Sequence, residues 1–156
     1  MKQLTWKLVL PLTVISFATF TKWWYVLPVD APDTMMAGFP MAYLSEGWHT
    51  SMSLQIFVVE FLIDLLTYFM FWFLLVFCIN RLLIKIRIHK ILTILLLTLT
   101  GLIMIGTTII FSMPEHVYKS TRDFEITVLE TGYKFFWQKT ERPDFEKYDV
   151  KDIKKE

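Results

Sequence analysis

Residues 53–79, SLQIFVVEFLIDLLTYFMFWFLLVFCI, form an apolar and aromatic run that indicates the class of protein this chain belongs to. The run is about 27 residues long, and 18 or more apolar residues in a row predict a membrane-spanning helix. Two carboxylates, Glu60 and Asp64, interrupt it. Charged side chains are costly inside a bilayer and face protein or water there. The run therefore predicts a transmembrane helix with one polar face.

The composition agrees with a membrane protein. Hydrophobic residues make up 54% of the 156 residues, whereas soluble domains contain about 45–50%. The net charge of +1 gives no basis for nucleic-acid binding. The single cysteine, Cys78, excludes an internal disulfide and a paired-cysteine metal or redox site.

Two further apolar segments are long enough to cross a membrane, residues 6–27 and residues 91–112. The first has aromatic residues at both ends, as is typical of membrane interfaces. A cleaved signal sequence is the alternative, but bulky residues follow its only small-residue site, so we expect an uncleaved helix. The sequence predicts an all-α membrane protein whose three transmembrane helices, over 6–27, 53–79 and 91–112, lie within residues 1–112.

Basic residues set the expected orientation. The loop over residues 80–90 carries four lysines or arginines and no acid, and the N-terminus carries Lys2 and Lys7. Residues 28–52 contain no lysine or arginine. Short loops rich in lysine and arginine stay in the cytoplasm. We therefore expect a bacterial cytoplasmic (inner) membrane protein with a cytoplasmic N-terminus and an extracytoplasmic C-terminus.

The two segments expected outside differ in character. Residues 28–52 are rich in proline and glycine, which predicts irregular structure. Residues 113–156 form a mixed-charge tail with a predicted β-hairpin over 122–138, in which Gly132 completes a three-residue turn. An isolated hairpin is marginally stable in water, so its apolar face should bind the membrane surface, the first loop or a second protein. The side chains of this face are Phe124, Ile126, Val128, Tyr133, Phe135 and Trp137. From residue 140 onward we expect disorder.

Five polar residues of the predicted helices could carry chemistry. Glu60, Asp64 and Thr67 share one helix face because they are four and seven residues apart. Lys22 and Glu60 are expected at similar depths, which permits an ion pair; in the alternative, Lys22 reaches the membrane surface and Glu60 is hydrated. No basic residue matches the depth of Asp64. The hydroxyl of Thr100 could bond Asp64 or its own helix backbone.

These features favour a non-catalytic accessory or structural subunit, or an assembly factor, of a membrane complex. Its expected partners are the lipid bilayer and other membrane proteins or a second copy of itself. The alternative is a component of a proton- or cation-coupled transporter that uses Asp64. A third class, sensing of or immunity against an external factor, would depend on the loop and the hairpin. Spacings typical of metal ligands, catalytic nucleophiles or phosphate-binding loops do not occur, so no cofactor or metal is expected.

One resemblance adds to this interpretation. The sequence Gly38-Phe39-Pro40, followed by Tyr43 and by Leu62-Ile63-Asp64 between aromatic residues, resembles a group of small bacterial inner-membrane proteins. These proteins have a glycine-phenylalanine-proline loop outside the membrane and an aspartate in the helix that follows. The resemblance covers about 40 residues and implies a location but no activity.

Overall fold

A computed structural model describes residues 2–29, 31–47, 53–86 and 88–148. These residues include a six-stranded sheet of mixed strand direction, so the fold is α+β. The predicted all-α architecture of three transmembrane helices and a terminal hairpin is therefore wrong.

The chain forms two compact units, each built from two segments. The helical unit comprises Met1–Phe20 and Leu62–Pro114, and the sheet unit comprises Thr21–Phe61 and Glu115–Glu156. The sheet unit thus joins the segment predicted as an irregular loop to the segment predicted as a separate tail.

The helices of the chain are apolar along most of their length. Its N-terminal part consists of α1 (Lys2–Leu4), a π-helical turn over Thr5–Val9, and α2 (Leu10–Thr19). Pro11 lies in the first turn of α2, where the missing N–H is tolerated. The two long helices are α3 (Val58–Cys78), which continues as a π-helical turn over Ile79–Leu83, and α4 (Lys90–Phe111).

Contacts inside the helical unit centre on α2. The Tyr68 hydroxyl on α3 donates a hydrogen bond to the Phe20 carbonyl oxygen at 2.8 Å. The indole Nε1 of Trp72 donates to the Ser16 hydroxyl oxygen at 2.8 Å, and the Phe17 ring meets the Tyr68 ring edge to face. α2 also packs against α4.

The first predicted helix, residues 6–27, ends early. α2 stops at Thr19, and Phe20 has an extended backbone with φ −127° and ψ 129°. Phe20–Pro28 then forms strand β1. Aromatic and β-branched residues favour strands where neighbouring strands are present, and a short apolar run does not distinguish a strand from a helix. The aromatic residues 23–25, assigned to a membrane interface by the sequence, belong to the sheet.

Five more strands complete the sheet in the order β5-β4-β3-β2-β1-β6. They are β2 (Thr34–Ala37), β3 (Leu44–Glu46), β4 (Leu54–Phe57), β5 (Val117–Lys119) and β6 (Ile126–Phe135). The strands from β1 to β4 pair antiparallel, whereas β4 and β5 pair parallel. β2 and β3 lie in the region predicted to be irregular, and β4 lies in the first residues of the predicted helix over 53–79.

The predicted hairpin over 122–138 is a single strand, β6, that runs without a turn through residues 130–132. The Val29 N–H donates to the Glu125 carbonyl oxygen, and Gly132 lies beside Trp23. β6 therefore runs antiparallel to β1. The alternation of apolar residues on both sides of Gly132 reflects one long strand, because glycine serves here for close packing rather than for a turn.

The sheet unit has its own hydrophobic core. Val26, Met36, Ala42 and Phe57 are buried together. Trp24, Phe124 and Ile126 pack against them, with the rings of Phe57 and Phe124 in edge-to-face contact. Side chains from β1, β2, β4 and the residues around β6 thus share one core, which fixes the two segments of the unit together.

Candidate functional site

The polar residues predicted inside the membrane are divided between the two units. Asp64 is fully buried in α3 within the helical unit, and Glu60 is 6% exposed in the first turn of α3 within the sheet unit. The hydroxyls of Thr67 and Thr100 donate to the carbonyl oxygens four residues earlier, both at 2.8 Å. Both threonines therefore bond the backbone of their own helix.

Glu60 binds the backbone of the C-terminal segment. Its Oε1 accepts a hydrogen bond from the Arg122 N–H at 3.1 Å, and the neighbouring Val59 N–H donates to the Ser120 carbonyl oxygen at 3.0 Å. The Lys22 ammonium lies 3.6 Å from the centre of the Trp24 ring, a cation–π contact. The structure thus gives Lys22 and Glu60 different partners and does not bring them together as an ion pair.

A polar cluster that the sequence analysis did not identify lies on the sheet unit. The hydroxyl of Tyr25, which is fully buried, donates to Asp33 Oδ2 at 2.7 Å. Arg142 donates to the same oxygen through Nε at 2.9 Å, and its Nη2 contacts both that oxygen and the Asp33 carbonyl oxygen. Asp33 therefore joins β1 to a segment 109 residues further along the chain.

The cluster shifts the acidity of its members. Burial, and then the hydrogen bond to the negatively charged Asp33, raise the pKa of Tyr25 to about 12. Burial acts to raise the pKa of Asp33, but the hydrogen bonds from Tyr25 and Arg142 outweigh it and lower that pKa. The arrangement favours a neutral phenol, an ionised carboxylate and a charged guanidinium. In these forms the phenol and the guanidinium both donate to the carboxylate, so the cluster connects three segments of the sheet unit.

The C-terminal segment, which was expected to be disordered from residue 140, contacts the sheet as far as it is described. A 3₁₀ turn over Phe145–Lys147 precedes Tyr148, whose ring lies 5.8 Å from that of Tyr25. The Tyr148 hydroxyl donates to Glu130 Oε2 at 2.7 Å. Residues 149–156 lie outside the described residues. The described part of the segment and the sheet border an open groove of about 550 Å³.

The residues predicted to bind a partner differ in exposure. Phe124 and Ile126 are half-buried against the core. The other four are more exposed, namely Val128 at 44%, Tyr133 at 58%, Phe135 at 40% and Trp137 at 62%. Phe136, which alternation alone does not select, is 70% exposed.

Three of these residues form an aromatic turn, defined here as residues 135–137. The ring of Phe135 stacks on that of Trp137 at 4.8 Å, and the Phe136 ring meets Trp137 edge to face at 5.1 Å. The neighbouring Tyr133 ring contacts that of Phe39, a residue of the glycine-phenylalanine-proline sequence. Aromatic residues are enriched at protein interfaces relative to the rest of the surface, so the aromatic turn is a candidate binding surface.

Metal-binding and buried polar groups were the remaining candidates for a site. Across residues 2–29, 31–47, 53–86 and 88–148, no three histidine, cysteine, aspartate or glutamate side chains form a group that could hold a metal ion. Buried atoms without a hydrogen-bond partner include Gln55 Oε1, Glu60 Oε2 and His116 Nε2. His116 binds the Leu54 N–H, at the opposite end of the paired segments from Glu60. Glu60 and His116 therefore lie apart.

The fold and these surfaces define an α+β protein with two long apolar helices and a sheet unit that displays an aromatic turn. Both Val58–Leu83 and Lys90–Phe111 are long and apolar enough to cross a membrane. Comparison with protein-family models, with curated proteins and with solved structures finds no match to this chain.

Proposed function

We propose that this chain is an integral protein of a bacterial cytoplasmic membrane. The observation that carries the proposal is the exposure of its two long helices: 17% of the apolar window of Val58–Leu83 is buried, and 6% of that of Lys90–Phe111. A core helix of a soluble protein buries its apolar face, and large exposed apolar surfaces mark membrane or protein contacts. Twenty-two helical residues span about 33 Å, which matches the hydrocarbon core of a bilayer.

The sheet supports a defined orientation. Its strands come from both sides of the long helices in sequence, and strands of one sheet must lie on the same side of a membrane. The basic residues of the 80–90 segment, together with Lys2 and Lys7, favour the cytoplasm. The proposed arrangement therefore has a cytoplasmic 80–90 loop and an extracytoplasmic sheet unit that includes the C-terminal segment. A cytoplasmic N-terminus requires that the helical residues 2–19 also cross the membrane.

The proposed role is that of a non-catalytic accessory subunit or assembly factor, which binds another membrane protein through the sheet unit. The aromatic turn supports this role because aromatic residues are enriched at protein interfaces and tryptophan is common among the residues that carry most of the binding energy. The polar cluster of Tyr25, Asp33 and Arg142 supports it as well, since it holds the sheet unit in one arrangement before any partner binds.

Location and orientation are tested by cysteine labelling. In a Cys78→Ser background, a cysteine replaces Glu125 in the sheet unit or Lys85 in the basic loop, both exposed. We expect a membrane-impermeant maleimide to label Glu125→Cys in intact bacterial cells and Lys85→Cys only after lysis. Labelling of Lys85→Cys in intact cells would overturn the orientation. Release of the chain from membranes by alkaline carbonate would overturn the membrane location.

The binding role is tested with matched substitutions of exposed aromatic residues. Phe136→Ser and Trp137→Ser remove two side chains of the aromatic turn, and Tyr118→Ser removes one that is 51% exposed on β5. After cross-linking in membranes and purification in mild detergent, we expect one partner in fixed ratio to the chain. The first two variants should lose it and Tyr118→Ser should retain it. Equal recovery with all three variants would contradict binding through the aromatic turn.

A second candidate, proton- or cation-coupled transport, is favoured by one observation. Asp64 is fully buried in a helix whose apolar side chains are largely exposed. A carboxylate at such a position is a functional candidate in a membrane protein. A chain with so few helices would transport only as part of an oligomer or a larger complex.

A further inference from the structure

β6 is an edge of the sheet. It has β1 as its one neighbour in the strand order of the described residues. β6 is ten residues long, ITVLETGYKF, and contains no proline. Long edge strands offer a template for pairing with another strand, and proteins usually interrupt or cover them. An uninterrupted edge of this length is therefore suited to binding a further strand.

The charges of β6 are arranged symmetrically about Gly132. Glu130 precedes this glycine by two residues and Lys134 follows it by two, so all three lie on one face of the strand. Gly132 lies against Trp23, and Glu130 and Lys134, together with Tyr133 between them, border the same groove as Trp23.

We infer that β6 binds β6 of a second copy of the chain, antiparallel, about a two-fold axis through Gly132. In that register each Glu130 lies opposite the partner's Lys134, which gives two cross-strand ion pairs, and each Leu129 lies opposite a Phe135. Opposite charges and apolar pairs directly across antiparallel strands stabilise the pairing. Such a contact is isologous, because the same surface is used on both copies.

The neighbouring registers are less favourable. A shift by one residue in one direction places Lys134 opposite Leu129, and in the other direction it places Glu130 opposite Phe135. Gly132 has no side chain, so two residues 132 can face each other at the axis, beside the two Trp23 rings, without a steric clash. A strand of another protein would need a positive and a negative charge in the matching order, whereas β6 of a second copy already has them. The inference goes beyond the proposed function, since it requires no other partner.

Register-specific disulfides test the inference. In a Cys78→Ser background, Thr131→Cys and Tyr133→Cys are co-expressed with tags of different size and oxidised in membranes. Directly opposed residues on antiparallel strands have Cα atoms about 4.5–5.5 Å apart, which suits a disulfide. We expect the mixed pair to cross-link at least several-fold more than either variant alone. Equal cross-linking of Thr131→Cys with itself would overturn this register.

Charge reversal provides an independent measurement on the full chain purified in detergent. Light scattering should give a dimer for the native chain. Glu130→Lys or Lys134→Glu alone places like charges opposite each other twice, so dimerisation should weaken by roughly tenfold. The double variant Glu130→Lys/Lys134→Glu should restore it. Tyr148→Phe is the control, because it removes the hydrogen bond to Glu130 and keeps the charge.

A native chain that is monomeric at all concentrations, with its circular dichroism intact, would overturn the inference. So would a double variant as weak as the single variants. Neither result affects the proposed function, because the labelling pattern and partner recovery are measured separately. Conversely, a dimer in the absence of any other partner would support self-association alone.

Discussion

The indole ring of Trp23 on β1 lies against the backbone of Gly132 on β6. A Cβ atom at position 132 would come within 2.7 Å of Trp23 Nε1 and within 2.8 Å of its Cε2, closer than any such contact can be. Trp23 is itself held in β1 opposite Ala37 of β2. The glycine therefore sets how closely the C-terminal strand approaches the rest of the sheet.

Gly132→Ala should destabilise the sheet unit by about 1–3 kcal/mol, because the strand or the indole must move to admit the methyl group. The midpoint of thermal unfolding in detergent, followed by tryptophan fluorescence, measures this change. Gly101→Ala is the matched control, since nothing lies within 4 Å of its Cβ position in α4. Alanine is also the better helix former there. An equal loss in both variants would contradict a specific clash with Trp23.

The stability of the folded chain at acidic pH should depend on the ionisation of Asp33. Its folded-state pKa is lowered, so its contribution to stability is complete above the unfolded-state pKa of about 4 and is lost as the pH falls through the folded value. The free energy of unfolding of the native chain and of Asp33→Asn, compared at a series of pH values, measures this contribution. We expect the advantage of the native chain to be constant near neutral pH and to shrink in acid. An advantage that grows on acidification would contradict the assigned partners of Asp33.

The stability of the folded chain at alkaline pH should depend on Tyr25, whose pKa is shifted in the opposite direction to that of Asp33. Its folded-state pKa is raised to about 12, so its contribution is complete below the unfolded-state value of about 10 and is lost as the pH rises toward 12. The native chain should therefore lose stability relative to Tyr25→Phe across this interval. The same interval in ultraviolet difference absorbance should show one tyrosine that ionises late and that is missing in the variant. Parallel stability curves would show that the phenol does not titrate with unfolding.

The sequence predicts the structure that depends on local interactions and misses the structure that depends on residues far apart in the chain. The apolar run of α4 extends over 22 residues, and its length alone predicts a helix. The segment around Trp24 was assigned to an apolar helix, but it forms a strand through pairing with β2 and β6, which no local pattern records. Both edge strands of the sheet, β5 and β6, come from the C-terminal segment, so the sheet could not be derived from either segment alone.

The same reasoning applies to the candidate site. The sequence does not indicate the cluster of Tyr25, Asp33 and Arg142, because Arg142 lies 109 residues after Asp33 and no spacing rule connects them. The exposed aromatic residues were partly predicted, since alternation selected Phe135 and Trp137. Phe136 was missed because β6 ends at Phe135 and alternation no longer applies in the turn that follows.

Lys22 and Glu60 should be energetically independent. Lys22 lies over the Trp24 ring and Glu60 binds the Arg122 N–H, so Lys22→Met and Glu60→Gln should have additive effects on stability within about 0.5 kcal/mol. A double-mutant cycle from thermal unfolding measures the coupling. Lys22→Met with Trp24→Phe provides the comparison, in which we expect a coupling of about 0.5–1 kcal/mol from the cation–π contact. A larger coupling between Lys22 and Glu60 would restore the ion pair expected from their sequence depths.

Asp64 distinguishes the two candidate functions. Asparagine is nearly isosteric with aspartate and forms hydrogen bonds but does not ionise, so Asp64→Asn should keep the fold and the partner if the chain is an accessory subunit. Asp64→Leu should instead lose about 1–3 kcal/mol, because groups that bond the buried carboxylate would be left without a partner. Proton flux into vesicles that contain the purified complex, followed with a pH-sensitive dye, gives the second readout. We expect identical flux for the native chain and for Asp64→Asn, whereas a flux that only the native chain supports would favour transport through Asp64.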